Sequence, residues 1–324
     1  MKQVLGMGNA LVDIMTKIES DDVLDKFSLP KGSMQLVDLE NRNTVLEGTS
    51  NFERQQSSGG SASNTIHGLA KLGIKTSYIG KIGNDSFGEF FHQDILNSGI
   101  EPRLLKGDAE TGLAIALVSP DSERTFATFL GAAIELSHND LYSSLFSGND
   151  YFHIEGYLVQ NHELLKKAVQ LAKENGLKIS LDLASYNVVE DNLEFLKEII
   201  SNYVDIVFAN EEEAKAFTGF EPEEALNEIS KVCEIAIVKI GKNGSLIKKG
   251  NEKHKVGIID VNPIDTTGAG DLYASGFLYG LIKKFPLDKC GHIGSILSGR
   301  VIEVIGAKLD NNIWTEIKKE LDTF

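Results

Sequence analysis

The chain has 324 residues, 42% hydrophobic and 24% charged, a composition that fits a water-soluble globular protein of one large or two modest domains. Its net charge of −15 argues against a nucleic-acid or anionic-membrane partner, since either needs a basic face. No apolar run approaches the roughly 20 residues of a membrane span, and the run before Asn9 is too short for a secretory leader, so a cytoplasmic protein is expected.

Residues 2–8 read as a buried strand entering a loop at Asn9. Gly6-Met7-Gly8 invites comparison with a dinucleotide fingerprint, but Leu11 stands where that pattern needs a small residue, and no acidic ribose reader follows. In Asn9-Ala10-Leu11-Val12-Asp13-Ile14, Asp13 is either a turn residue or a hydrogen-bond partner for sugar hydroxyls. Residues 21–29 suggest a short helix or turn, and 33–39 a further strand. Ser57 to Asn64 carries the pair Gly59-Gly60 and leads into a helix over 65–72, with Ile66, Leu69, Ala70 and Leu72 on one buried face. A strand over 78–83 precedes a helix running to about Asn97. Segments 111–118 and 124–129 flank the turn 119–123 in a hairpin pattern, which suggests a small antiparallel sheet beside the main one.

From Tyr151 the chain alternates strands (151–159, 178–183, 204–209, 235–240) with helical runs (161–175, 191–202, 211–232). That alternation signals a parallel sheet covered by helices, with ligands at the carboxyl ends of the strands. Asn210 falls at one such end, and Glu211 and Glu212 behind it read as exposed partners of a helix dipole. Gly241 and Gly244 make a glycine loop, followed by a hairpin over 245–249 and 253–259. Next comes Asp265-Thr266-Thr267-Gly268-Ala269-Gly270-Asp271 at the start of a helix reaching Lys284. Small residues at a helix start leave backbone N–H groups bare for a phosphate or developing oxyanion, and Asp271 beside them suits a base that takes a proton from a hydroxyl. A capped turn explains the same residues equally well. Gly276 and Gly280 on one face of this helix are expected to pack closely on the sheet. Final helices are expected over 288–305 and 311–322, with a turn at Gly306-Ala307. Cys233 and Cys290 match no metal or redox spacing and read as reduced thiols, and the histidines show no metal-binding pattern.

The run from Asp265 to Asp271 resembles the signature of the ribokinase-like (PfkB) carbohydrate kinase family, and Gly8-Asn9-Ala10-Leu11-Val12-Asp13-Ile14 is similar to the opening of its adenosine kinase branch. The resemblance runs in order from Gly6 to Gly306. It implies an α/β fold of a largely parallel central sheet flanked by helices on both faces. A small antiparallel lid sheet would be inserted at about 11–20, 33–39 and 103–129 of a single domain over 1–324. It also implies ATP and Mg2+, with transfer of the γ-phosphoryl group to the primary 5' hydroxyl of a ribonucleoside such as adenosine. Asp271 would then be the catalytic base, with the amides of Gly268, Ala269 and Gly270 as the anion hole. Asn9, Asp13, Gly59, Gly60, Ser61 and Asn64 would meet the substrate, and Arg124 would swing toward phosphate. Asn210, Gly241, Gly244, Thr266, Gly268 and Gly270 would attend the nucleotide. Glu213 would hold Mg2+ through water, and Asp265 marks a candidate K+ site.

Two departures stand against a simple ribose or fructose-phosphate substrate: Gly131-Ala132-Ala133 lacks an Asn, and Asp182-Leu183-Ala184-Ser185 lacks the Arg of the common sugar-kinase pattern. No basic cluster stands beside Asn9 or Asn64 in the sequence to neutralise a second phosphate. The alternatives are a free-sugar kinase of the same family, a non-catalytic sugar or nucleoside sensor on the same fold, and a nicotinamide oxidoreductase disfavoured by Leu11. A homodimer through exposed lid strands is a further expectation.

Overall fold

A computed structural model describes residues 2–121 and 123–324; Ser122, in the expected hairpin turn, lies outside the described residues. The first strands are β1 (Gln3–Met7), β2 (Leu11–Lys17), β3 (Met34–Leu36), β4 (Arg54–Gly59), β5 (Lys75–Ile82), β6 (Ile100–Lys106), β7 (Gly112–Val118) and β8 (Arg124–Phe129). They are followed by β9 (Tyr151–Glu155), β10 (Lys178–Asp182), β11 (Ile206–Asn210), β12 (Ile235–Lys239), β13 (Ser245–Lys249) and β14 (Glu252–Val256). The helices are α1 (Asp22–Lys26), α2 (Leu39–Gly48), α3 (Ser61–Lys71), α4 (Ser86–Asn97), α5 (His162–Glu174) and α6 (Tyr186–Asp191). Then come α7 (Leu193–Tyr203), α8 (Glu211–Thr218), α9 (Pro222–Ile229), α10 (Ala269–Ile282), α11 (Leu287–Val301) and α12 (Asn311–Leu321).

The main sheet has nine strands in the order β14-β13-β12-β11-β10-β9-β1-β5-β6. From β12 to β6 every pairing is parallel, and the β13–β14 hairpin adds two antiparallel strands at one edge. Apolar side chains of α5, α7, α8 and α9, among them Leu165, Ile200, Phe217 and Leu226, cover one face. The other is covered by α3, α4, α10 and α11 through Ile66, Phe91, Phe277 and Cys290. This is the three-layer α/β architecture the alternation predicts, because strands covered on both faces need continuous apolar runs. Strand order reverses at β1, whose neighbours are β9 and β5, so a crevice opens beyond the carboxyl ends of β1 and β9. Asn9 and Glu155 stand there.

The smaller sheet has five strands, β3-β8-β7-β2-β4. Several expectations change here. Its strands are antiparallel for β2–β4 and β7–β8, but β2–β7 and β3–β8 run parallel. Residues 103–106 belong to β6 in the main sheet, where they pair with β5. The strand β4 and the helix α2 are additions. The polar run Arg54-Gln55-Gln56-Ser57-Ser58 of β4 carries none of the apolar alternation that marks a strand, because much of it faces solvent at a sheet edge.

Three further corrections have local causes. The run 211–232 is two helices, since Gly219 closes α8 at φ 81 and Pro222 opens α9. The strand from Tyr151 stops at Glu155, and residues 156–160 form a single 3-10 turn. Gly276 and Gly280 face α11, where added methyl groups would meet Ile293 and Cys290; they pack helix on helix, not helix on sheet.

Candidate active site

Asp271 lies in the first turn of α10, whose N-cap is Gly268 at φ 73. Left-handed backbone favours glycine there, and a methyl group on it would also strike Ala307. The Ala269 amide is bonded to the Thr266 carbonyl at 3.2 Å and the Thr267 amide to Asp265 Oδ1 at 2.7 Å. The amides of Gly268, Gly270 and Asp271 have no protein acceptor among the described residues. Three bare donors at the positive end of a 14-residue helix make an anion-binding locus. Ala269, expected to contribute its amide, is already engaged.

The Asp271 carboxylate is held from α3. Ser61 Oγ donates to Oδ1 at 2.7 Å and Asn64 Nδ2 to Oδ2 at 3.0 Å, while Thr65 Oγ1 donates to the Asp271 carbonyl at 3.1 Å. Burial raises the Asp271 pKa above the usual carboxylate range, against the pull of those two side-chain hydrogen bonds. Ser61 and Asn64, expected as sugar contacts, both donate to this carboxylate.

Beyond α3, Asn9, Asp13, Gly59 and Gly60 form a second group. A methyl group on Gly59 would collide with the Asp13 carboxyl, and one on Gly60 (φ 91) with the Asn9 carbonyl. Both glycines are required by close approach. Asn9 donates through its backbone N and its Nδ2 to Glu155 Oε1 at 2.9 and 2.7 Å, and Ala62 N donates to Glu155 Oε2 at 3.1 Å. Glu155 is fully buried, and that burial pushes its pKa up to about 7 against these hydrogen bonds. Burial likewise pushes Asp13 up to about 7, opposed by the Lys308 ammonium. Lys308 Nζ is itself buried with no hydrogen-bond partner among the described residues, and burial lowers its pKa to about 8. Thus a basic group does reach the Asn9–Asn64 region, supplied by the loop after Gly306, some 240 residues away in sequence.

The third group lines a cavity of about 830 Å³ that reaches Ser61, Gly270 and Asp271. Asn210, Gly241, Gly244 and Thr266, expected to attend the nucleotide, line this cavity together with Ile258, Ile259 and Val261. Gly268 does not line it, and Gly244, at φ 92 with the Val256 carbonyl against it, is also a hairpin requirement. Asn210 and Glu213 form a reciprocal cap: Asn210 N and Nδ2 donate to Glu213 Oε2 and Oε1 at 2.8 and 2.7 Å, and Glu213 N donates to Asn210 Oδ1 at 2.8 Å. Burial, reinforced by the Asp182 carboxylate, pushes Glu213 up to about 7. Asp182 pairs with Lys239, Nζ to Oδ2, at 2.9 Å. Glu211 and Glu212 are exposed, as expected.

Asp265 holds the turn. Its Oδ1 accepts from Thr267 N and pairs with Arg124 Nη2 at 2.6 Å, and its Oδ2 accepts from Gly306 N at 2.7 Å. Arg124, from β8 of the smaller sheet, is therefore docked on the Asp265 turn, and any K+ site beside it would use backbone oxygens. Glu155, Asp182 in its pairing with Lys239, and Lys239 itself carry no motif in the sequence. The one available signal is that Asp182 and Lys239 fall near the ends of predicted core strands, where ligands gather; Glu155 falls in the middle of the predicted strand 151–159 and carries no such signal.

Residues 33–314 match the pfkB family carbohydrate kinase. Similar solved structures include a probable sugar kinase from Rhizobium etli, 34% identical with TM-score 0.87, covering 98% of each chain. An adenosine kinase from Sinorhizobium meliloti is 33% identical with TM-score 0.86, covering 98% of this chain and 99% of that one. An uncharacterised sugar kinase from Archaeoglobus fulgidus is 28% identical over 244 residues, which span 74% of this chain and 96% of that protein.

Proposed function

The chain belongs to the pfkB family of carbohydrate kinases, phosphotransferases with an alcohol acceptor, and from that premise we propose that it transfers the γ-phosphoryl group of ATP to the 5' hydroxyl of a ribonucleoside such as adenosine. The observation that carries the reading is the Asp271 carboxylate, oriented by Ser61 and Asn64 beside three bare amides at the end of the cavity. Asp271 takes the acceptor hydroxyl proton. The acceptor oxygen bonds the γ-phosphorus, the bond to the β–γ bridging oxygen breaks, and the electron pair leaves on ADP. The amides of Gly268, Gly270 and Asp271 meet the charge on the transferring group. Asn9 and Asp13 hold the sugar hydroxyls, and Arg124 on the smaller sheet braces the Asp265 turn through its ion pair with that carboxylate.

Glu213 offers the hard oxygen donor that Mg2+ takes through water, and among the described residues no group of three or more His, Cys, Asp or Glu forms a metal cage. That donor set fits an ion held by one or two carboxylates with waters and substrate phosphates. Bound there, Mg2+ supplies charge neutralisation at the phosphates.

The second reading is a free-sugar acceptor, favoured by the similarity to the Rhizobium etli probable sugar kinase. ADP release with Mg2+-ATP across adenosine, other nucleosides, ribose, fructose and phosphosugars, with Asp271→Asn as the blank, separates the two. Release with nucleosides alone is the expected result. Release with a free sugar moves the protein to the second reading, and release with a phosphosugar gives the Lys308 ammonium a ligand. Silence despite ligand binding leaves a sensor.

A further inference from the structure

Lys239 is the one largely buried cation lining the cavity among the described residues, its side chain 16% exposed, since Lys242, the other lysine there, is exposed. It ends β12, Asp182 ends β10, and the two meet across the end of β11. Its ammonium has three donors and spends one, on Asp182 Oδ2 at 2.9 Å. The same Nζ lies 3.1 Å from where a Cβ on Gly270 would stand. Glycine at 270 thus lets the ammonium come up against the N-terminus of α10, beside the bare amides of Gly270 and Asp271. A full positive charge and the positive end of the helix then share one point, next to the carboxylate that would activate the acceptor. A pair serving only stability would be expected to face away from the site, because an ammonium turned toward a ligand cavity gives up part of its shielding from solvent.

We propose that Lys239 is a catalytic residue that donates to the non-bridging oxygens of the transferring phosphoryl group, with Asp182 holding its ammonium in place when no nucleotide is bound. The proposal rests on the kinase reading above. It explains why one lysine sits among Asp182, Glu213 and Asp271: without it, an incoming Mg2+-polyphosphate would face three carboxylates with only its own metal ion and backbone dipoles in opposition.

The test uses calorimetric binding of AMP, ADP and the non-hydrolysable analogue AMP-PNP together with steady-state kinetics, on the full chain with Mg2+. Lys239→Met is expected to lower kcat about 100-fold and AMP-PNP affinity about tenfold, with a smaller loss for ADP, none for AMP, and an unchanged acceptor KM. Lys239→Arg is expected to regain part of both. The double variant Lys239→Met/Asp182→Asn leaves no unpaired buried ion, so it keeps the question open to measurement if the single variant does not fold. Should the double variant regain wild-type AMP-PNP affinity and turnover, Lys239 is only a counter-ion to Asp182 and the proposal is overturned. Equal losses for AMP and AMP-PNP would overturn it too. If the wild-type protein itself neither binds AMP-PNP nor releases ADP, it is the kinase reading that fails.

Discussion

The two regions that meet at Asp271 are built by opposite means. Toward Asn9, Asp13 and Glu155, the site is made of close backbone approaches and neutral hydrogen bonds: glycines remove the methyl groups that would fill it, and a buried carboxylate ties the β1–β2 turn to the start of α3. Toward Asp182, Lys239, Glu213 and Asp265, it is made of ion pairs and helix-end amides. The difference matches the two tasks of the proposed function. A sugar hydroxyl is neutral and is selected by shape and hydrogen-bond direction, whereas a polyphosphate is highly charged and is held by fixed positive groups. Asp271 belongs to both, anchored by α3 and placed by α10.

The largest expected effect comes from removing the joint while sparing both sides. Asp271→Asn keeps the shape, and Asn64, whose Oδ1 is unpartnered, is able to flip its amide to accommodate the new donor. Loss of the base is expected to cut kcat by about 10²–10⁴-fold with AMP-PNP and acceptor affinities nearly unchanged, measured by single-turnover kinetics and calorimetry. Turnover near wild type would remove Asp271 from its role.

Next in size are two glycine substitutions that break the regions one at a time. In Gly59→Ala, the methyl group would fall on the Asp13 carboxyl, so the acceptor KM is expected to rise at least about tenfold while AMP-PNP affinity holds. In Gly270→Ala, the methyl group meets the flexible end of Lys239 at 3.1 Å, so AMP-PNP affinity is expected to fall severalfold with acceptor KM unchanged. If each variant disturbed both ligands equally, the two regions would not be separable.

The same contrast explains what the sequence shows. Where the site depends on glycine geometry and on a helix start, short-range patterns carry it, and Gly59-Gly60 and the run from Asp265 to Asp271 are visible as such. The order of β and α elements after Tyr151 is visible because burial on both faces imposes long apolar runs. Glu155, Lys239 and Lys308 are different: each is one polar residue, at a strand end or in a loop, and its meaning arises only when elements far apart in sequence converge. Asn210 and Glu213 show the ambiguity from the other side, since one spacing serves both a capping box and a cavity-facing carboxylate. The edge strand β4 escapes because its polar residues Gln55 and Gln56 face solvent and break the apolar alternation.

A smaller effect tests the neutral character of the acceptor region through pH. Burial holds the Glu155 pKa at about 7, above the 4.5 of an unperturbed side chain, so the fold favours its protonated form. That contribution is complete below about pH 4.5 and is lost as pH rises through about 7; for one such group it amounts to roughly 3 kcal/mol. Asp13 and Glu213, also held at about 7, act in the same direction. The melting temperature of the ligand-free protein is therefore expected to decline between pH 5 and 8. Glu155→Gln should flatten that decline while lowering stability at pH 5, because its amide would face the Ala62 N–H. An unchanged slope would mean that Glu155 does not titrate in this window.

The smallest expected effect concerns how Asp271 is tuned. Ser61 Oγ donates to its carboxylate at 2.7 Å, a bond that favours the charged form and lowers the pKa that burial raises. Ser61→Ala removes that donor, so the pKa rises further and the acidic limb of the kcat profile moves to higher pH, by up to about one unit for one hydrogen bond to a charged group. At a pH well above both values, kcat should fall only by the loss of orientation. If Ser61 held the sugar instead, the variant would raise the acceptor KM and leave the acidic limb in place. The direction of change thus reads out which of the two regions Ser61 serves.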